Sequence, residues 1–131
     1  MIEKTWQDFF ARLDKIEFEK FDIIVAIAQG GIIPAGFIQQ KLGILMKIIN
    51  INYRDQDNMP KYEESKLLET EAFKFKAKKI LLVDDVSRTG KTLAIAKKYL
   101  AGNEIKTCII NGEGDYSFFK LKACIKFPWK R

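Results

Sequence analysis

Histidine is absent from the sequence, and cysteine occurs only at Cys108 and Cys124. Without histidine, we expect neither a zinc site nor a nucleophile or acid–base pair assisted by an imidazole. The two cysteines have no CxxC spacing, and both lie in apolar stretches. They are therefore predicted to be buried, reduced thiols, as in cytoplasmic proteins.

Long apolar runs are also lacking. A membrane-spanning helix needs about 18 consecutive apolar residues, whereas the run Ile44–Ile51 is already interrupted by Lys47. The opening residues, MIEKT, lack the apolar stretch of a signal peptide. We therefore expect a cytoplasmic protein without a membrane partner. The 131 residues, 47% of them apolar, fit one domain over 1–131 with its own core.

Acidic residues are fewer than basic ones, which leaves a net charge of +6. A solvated, lysine-rich surface explains such an excess, although an anionic small molecule or nucleic acid would also suit it. The aromatic residues interleaved with the charges, Phe73 and Phe75, are too few for an RNA-binding platform. Nucleic acid is therefore not the expected partner, but charge alone does not exclude it.

Strand-like and helix-like segments alternate along the sequence. A helix from Thr5 to about Lys15 is predicted by its amphipathic pattern and by a capping pair of Thr5 and Asp8. Further helices are expected at Pro34–Leu42 and Thr92–Leu100, and apolar runs predict the strands Phe21–Ala28, Ile44–Asn52, Ile80–Val83, Lys106–Ile110 and Ala123–Phe127. This order predicts an α/β fold with a doubly wound, mainly parallel sheet of about five strands and flanking helices.

The segment Asp84–Thr92 follows a buried strand, and ligands of open α/β sheets bind beyond the carboxyl ends of strands. Gly90 allows a tight turn, and hydroxyls at Ser87, Thr89 and Thr92 can donate hydrogen bonds. The helix that follows presents free N–H groups at the positive end of its dipole. Together these features predict a nest for a phosphate monoester.

Two carboxylates, Asp84 and Asp85, stand at the same strand end. They could accept hydrogen bonds from the vicinal hydroxyls of a sugar, or hold Mg²⁺ through water. Phosphate donors beside diol acceptors describe a ribose 5-phosphate. A nucleoside triphosphate P-loop, suggested by Gly90-Lys91-Thr92, would need glycine at position 85 and fails on this spacing.

Val83–Leu93 resembles the phosphoribosyl pyrophosphate signature of type I phosphoribosyltransferases, with apolar residues, two acids, a short variable stretch and Thr-Gly-x-Thr. Ala26–Ala35 is similar to the family's pyrophosphate loop after the first strand. The closing part, from Asp115 to Phe127-Pro128-Trp129, resembles the tail of small xanthine-guanine and hypoxanthine type purine enzymes. This resemblance, from about Phe21 to the end, implies the type I phosphoribosyltransferase fold.

The resemblance also implies a role for each matched residue. Asp84 and Asp85 would contact the ribose hydroxyls in catalysis and bind Mg²⁺, the expected cofactor. The phosphoribosyl site would comprise Asp84, Asp85, Val86, Ser87, Arg88, Thr89, Gly90, Lys91 and Thr92. The pyrophosphate would approach Gln29, Gly30 and Gly31, and Tyr53–Lys79 would form a hood that excludes water. The base would contact Lys126, Phe127 and Trp129, although Phe127 and Trp129 could serve core packing alone and Lys126 could point to solvent.

Three residues depart from the family's pattern. Arg88, placed by position among the catalytic residues, replaces an aspartate that exchanges a proton with the purine. A guanidinium stays protonated and cannot be that base, although it could attract an anionic group or stack on a ring. Gln29 replaces a lysine or arginine beside the pyrophosphate, and Cys124 replaces a tryptophan that packs on the base. We therefore expect a retained phosphoribosyl half and an altered base half.

The leading hypothesis is an Mg²⁺-dependent phosphoribosyltransferase that transfers ribosyl 5-phosphate to a nitrogenous base. A purine is the expected acceptor, as in purine salvage. The alternative is a catalytically altered protein that binds phosphoribosyl pyrophosphate or a nucleotide and regulates a partner. A third hypothesis is an unrelated phosphate-binding α/β domain of the receiver type, in which the acids would follow the first strand. By resemblance, a homodimer is the default assembly.

Overall fold

The predicted helices and most of the predicted strands are present in the structure. The computed structural model describes residues 1–52, 66–67 and 75–130. Within them the helices are α1 (Trp6–Lys15), α2 (Ile32–Leu42) and α3 (Lys91–Tyr99). The strands are β1 (Ile2–Glu3), β2 (Ile23–Ala28), β3 (Leu45–Asn52), β4 (Lys66–Leu67), β5 (Lys79–Val86), β6 (Glu104–Asn111), β7 (Tyr116–Phe119) and β8 (Ile125–Lys126). Most of the predicted hood, residues 53–65 and 68–74, lies outside the described residues.

The main sheet has the strand order β4-β3-β2-β5-β6-β7. All its neighbouring pairs are parallel except β3 and β4, which are antiparallel. Strand β2 lies at the centre, where Ile23 pairs in register with Leu45 on one side and Ile80 on the other. The predicted α/β fold with about five parallel strands is confirmed. Because parallel strands end at one edge, the loops after β2, β5 and β6 come together there.

Successive residues of β2 enter two different cores, which is why this strand is apolar throughout. Ile24 and Ala26 belong to the core that also contains Phe9 of α1 and Ile38 of α2. Ile23, Val25 and Ile27 belong to the opposite core, which contains Leu93 and Ala96 of α3 and Leu100 directly after it. The sheet is therefore covered on both faces, as a doubly wound arrangement requires.

The helix ends follow the sequence signals closely. The hydroxyl of Thr5 accepts the N–H of Asp8, and the Asp8 carboxylate accepts the N–H of Thr5, so the predicted capping box is confirmed. Gly43, with φ +66°, ends α2 in the left-handed conformation that favours glycine. Within the described residues, no helix is both long and apolar enough to cross a bilayer.

Two strand predictions differ from the structure. The segment Ala123–Phe127 contributes only β8, which pairs with β1 outside the main sheet. The outermost parallel strand is instead β7, which was not predicted. It is positioned by Asp115, whose carboxylate accepts the N–H of Thr107 at 2.8 Å.

The prediction that Cys124 is buried was also wrong: Cys108 lies in the core, but Cys124 is exposed.

Candidate active site

The acidic pair lies at the carboxyl end of β5, where each aspartate is only 8% exposed. The N–H of Asp85 donates to the Asp84 carboxylate at 2.8 Å, and the N–H of Val86 donates to the Asp85 carboxylate at 2.8 Å. Burial raises the pKa of Asp84, and its hydrogen bond with the Asp85 side chain raises that pKa further. The backbone thus fixes the two carboxyl groups side by side at the sheet edge.

The loop after the acidic pair forms the first cleft, of about 350 Å³. Gly90 has φ +78° directly before α3, a conformation that is easy only for glycine. The Thr89 hydroxyl accepts the N–H of Lys91 at 3.3 Å. All nine residues predicted for the phosphoribosyl group line this one cleft, together with Leu93 and Lys130. The positive end of the α3 dipole and the nearby hydroxyls suit a phosphate.

The predicted pyrophosphate loop packs directly on the acidic pair. It follows β2, and the peptide bond between Ala28 and Gln29 is cis. A Cβ atom on Gly30 would lie 2.2 Å from Oδ2 of Asp85, so only glycine lets the loop come this close. A Cβ atom on Gly31 would lie 2.5 Å from the carbonyl oxygen of Val83. The two predicted halves of the phosphoribosyl pyrophosphate site are therefore neighbours.

A second cleft, of about 510 Å³, adjoins the first and shares Val86, Ser87, Arg88 and Lys130 with it. Its far wall is the segment 121–125. Buried Asn111 holds this wall, because its amide group donates to the carbonyl oxygens of Leu121 and Ala123 and accepts the N–H of Leu121. We call this second cleft the acceptor cleft, because Phe127, one of the residues predicted to contact the base, lines it.

Two of the three departures from the family pattern meet in the acceptor cleft. An Nη2 of Arg88 lies 3.4 Å from Sγ of Cys124, close enough to donate a weak hydrogen bond to the sulfur. Both side chains are exposed. The sequence shows the departures at Arg88 and Cys124 separately. It does not show that they are in contact, because the two residues lie far apart in the chain.

The three residues predicted to contact the base lie in different surroundings. Phe127 lines the acceptor cleft and is buried in the core, with its ring stacked on Trp129 at 4.8 Å between centroids. Trp129 also packs against Trp6 and Phe9 and lines a third cleft rather than this one. Lys126 is exposed on β8 and does not line the acceptor cleft. Of the three, Phe127 alone reaches the acceptor cleft in this structure.

Lys130 is a site residue that sequence reasoning missed. Its Nζ lies 2.5 Å from Oδ2 of Asp85. It lines the first cleft, the acceptor cleft and the third cleft, of about 420 Å³, whose other walls are Gln29, Gly30, Ile32, Ile33 and Trp129. No local pattern distinguishes this lysine from the others of a lysine-rich sequence.

The acidic pair is the predicted site for Mg²⁺. The residues that the structure describes contain no group of three or more metal-ligating acids, cysteines or histidines. Mg²⁺ is commonly held by one or two carboxylates together with substrate phosphates and water. Asp84 and Asp85, beside a phosphate nest, fit that kind of site but not a site built from protein ligands alone.

The sheet edge defines the class: an open α/β domain with a buried acidic pair and a glycine turn at the carboxyl ends of parallel strands, where such domains bind their ligands. The model of the phosphoribosyl transferase domain family matches residues 3–118 of the sequence. The chain belongs to this phosphoribosyltransferase family, as the resemblance implied.

Individual relatives include enzymes for different bases. The chain is 36% identical over 102 residues to an orotate phosphoribosyltransferase of Sulfurisphaera tokodaii, covering 78% of this chain but only 43% of that relative. It is similar to the crystal structure of a purine phosphoribosyltransferase from Pyrococcus horikoshii, with TM-score 0.81, 30% identity, and 99% and 94% of the two chains covered. The Helicobacter pylori xanthine-guanine-hypoxanthine enzyme shares the fold, with TM-score 0.73, 15% identity, and 98% and 90% covered.

Proposed function

We propose that the protein transfers the ribosyl 5-phosphate group of phosphoribosyl pyrophosphate to a nitrogen atom of a base. The observation that carries this proposal is the first cleft, where the buried acidic pair and the phosphate nest before α3 stand side by side. That combination matches a ribose diol and its 5-phosphate. The family match over residues 3–118 supports the same activity.

In this proposal the protein's main work is positioning. Asp84 and Asp85 accept hydrogen bonds from the ribose hydroxyls, while the segment Ser87–Thr92 holds the 5-phosphate. The bond from ribose C1 to the pyrophosphate oxygen breaks, a bond from C1 to a base nitrogen forms, and the proton of that nitrogen passes to water or to the leaving pyrophosphate. Asp84 and Asp85 would also hold Mg²⁺, which would supply positive charge to neutralise the pyrophosphate.

The acceptor is the finer part of the proposal. A purine, the sequence expectation, is supported by the Pyrococcus relative, whereas the Sulfurisphaera relative favours orotate. The charged side chains lining the acceptor cleft are Arg88, Lys122 and Lys130, all of them cationic. Because these three side chains donate hydrogen bonds and cannot accept them, the cleft favours a base rich in carbonyl or carboxylate oxygens, such as xanthine or orotate, over adenine.

A binding protein without turnover is the second candidate. Arg88 supports it, because a guanidinium stands where the resemblance led us to expect the proton-exchanging aspartate. This guanidinium also contacts Cys124, the second departure from the family pattern in the acceptor cleft. Such a protein would bind phosphoribosyl pyrophosphate or a nucleotide and transmit that state to a partner.

One assay separates the two candidates. The purified protein is incubated with Mg²⁺, phosphoribosyl pyrophosphate and one of six bases: guanine, xanthine, hypoxanthine, adenine, uracil or orotate. Nucleotide and pyrophosphate are both quantified, and Asp84→Asn serves as the variant that should lose the reaction. Equal amounts of both products from one base establish the transferase. Binding of phosphoribosyl pyrophosphate by calorimetry without any nucleotide favours the regulatory protein.

The assembly and location belong to the same proposal. We propose a cytoplasmic homodimer, since symmetric dimers are the commonest closed assemblies of such domains. Light scattering after gel filtration measures the mass of the particle, and a value near the chain mass of 15.2 kDa would contradict the dimer.

A further inference from the structure

We propose that Lys130 is the cation that binds the pyrophosphate group of the substrate. This inference rests on the proposed function and assigns a residue that the sequence pattern did not single out. Three observations carry it: the neutral pyrophosphate loop, the position of the Lys130 side chain beside that loop, and the way the structure anchors this lysine.

The pyrophosphate loop itself supplies no charge. Position 29, where the family resemblance led us to expect lysine or arginine, is glutamine. Gln29 and Gly30 line the third cleft, and among its described lining residues Lys130 alone is charged. A pyrophosphate group carries several negative charges, and an ammonium group can bind it through charge-assisted hydrogen bonds. Lys130 therefore stands where a cation is needed and the loop provides none.

The distances place this ammonium group at the junction of the clefts. Nζ of Lys130 lies 2.5 Å from Oδ2 of Asp85, the same oxygen that a Cβ on Gly30 would approach to 2.2 Å. Lys130, Asp85 and Gly30 thus form one cluster. The Lys130 side chain is 48% exposed, so its ammonium group is open to a ligand while Asp85 orients it.

The backbone of Lys130 is anchored although its side chain is open. Its N–H donates to the carbonyl oxygen of Phe127 at 3.1 Å, and Phe127 stacks on Trp129 with an interplanar angle of 4°. Both rings pack with Phe9 and its neighbours in the core. The turn 127–130 therefore holds the backbone of Lys130 in place. Its flexible aliphatic side chain lets the ammonium group shift from Asp85 toward a bound pyrophosphate.

The test compares ligands with and without a pyrophosphate group. Calorimetry with Mg²⁺ measures the dissociation constants of phosphoribosyl pyrophosphate, inorganic pyrophosphate and ribose 5-phosphate for the wild type and Lys130→Met. The matched control is Lys20→Met, which removes the same charge before β2, at the opposite end of the strand from the pyrophosphate loop. The double variant Gln29→Lys/Lys130→Met returns a cation to the loop. Thermal melts confirm that each variant is folded.

We expect Lys130→Met to weaken both pyrophosphate-containing ligands about tenfold, the effect of losing one charge-assisted hydrogen bond at a half-exposed site. Ribose 5-phosphate should bind as before, and Gln29→Lys should restore most of the loss. Unchanged binding of pyrophosphate to Lys130→Met would overturn the inference. An equal loss for ribose 5-phosphate would also overturn it, since Lys130 would then act only through Asp85. If the wild type does not bind phosphoribosyl pyrophosphate at all, the proposed function fails, and the titration with inorganic pyrophosphate still decides the role of Lys130.

Discussion

Adding a single methyl group at Gly30 should disable the candidate active site while the fold survives. The Cβ of Gly30→Ala would lie 2.2, 2.3 and 2.5 Å from the three atoms of the Asp85 carboxylate group, whereas ordinary contacts begin at 3.4 Å. The carboxylate must therefore move by more than about 1 Å or the loop must shift. A displacement of this size at a reacting centre costs about a hundredfold in rate. We expect kcat/KM for phosphoribosyl pyrophosphate to fall by about that factor.

The cost in stability should be smaller than the cost in activity. Overpacking of this kind typically lowers the free energy of unfolding by about 1–3 kcal/mol. Gly36→Ala is the matched control, because a Cβ at that position in α2 meets nothing within 4 Å. Replacing glycine inside a helix should stabilise the fold by about 0.5–1 kcal/mol. Urea unfolding and steady-state kinetics measure both effects. Wild-type kinetics and unchanged stability of Gly30→Ala would refute the argument that this loop packs on Asp85.

Three further predictions concern other parts of the site. Asn111→Ala removes the hydrogen bonds that hold the wall of the acceptor cleft, so KM for the base should rise more than KM for phosphoribosyl pyrophosphate. The free energy of unfolding in urea should fall by about 1–3 kcal/mol. Equal changes in the two KM values would contradict this prediction. Under native conditions a thiol reagent should modify Cys124 quickly and Cys108 only after unfolding, because Cys108 is buried and its pKa is raised; two fast thiols would argue against the core position of Cys108. Because the folded-state pKa of Asp84 is raised from 3.8 to about 8, the folded protein binds the proton more tightly, and stability should fall as pH rises through that window. Melting temperatures of Asp84→Asn should lose this decline, and an equally steep decline in the variant would assign it to other groups.

Local signals in the sequence were sufficient for the parts of the fold that depend on neighbouring residues. The helix after Thr5 was predicted because its capping box and its apolar face lie within a few turns. The central strands were predicted because burial on both faces requires an uninterrupted apolar run, as in Ile23–Ala28. The nine residues predicted to bind the phosphoribosyl group are contiguous in sequence, and one cleft contains all of them, while their binding of that group stays a prediction.

The features that were missed depend on contacts between distant residues. Strand β7 is short, and its position is set by Asp115 reaching Thr107 on the neighbouring strand, which no local pattern shows. The segment containing Ile125 looks like an internal strand by composition, but its partner is Ile2 near the other end of the described chain. Lys130 reaches Asp85 only through the turn after Phe127, so its place in the site follows from packing rather than from a motif.

The pairing of β1 with β8 has a consequence for how the protein matures on the ribosome. A nascent chain that has emerged as far as Phe119 already contains every strand of the main sheet, so that sheet can form first. It still lacks the partner of Ile2, the wall of the acceptor cleft and the lysine beside Asp85. Contacts that join residues so far apart in sequence are slow to form, because closing a long loop costs entropy. Competence to bind the complete substrate should therefore arise late, after the sheet has folded, when the segment 121–130 closes over its edge.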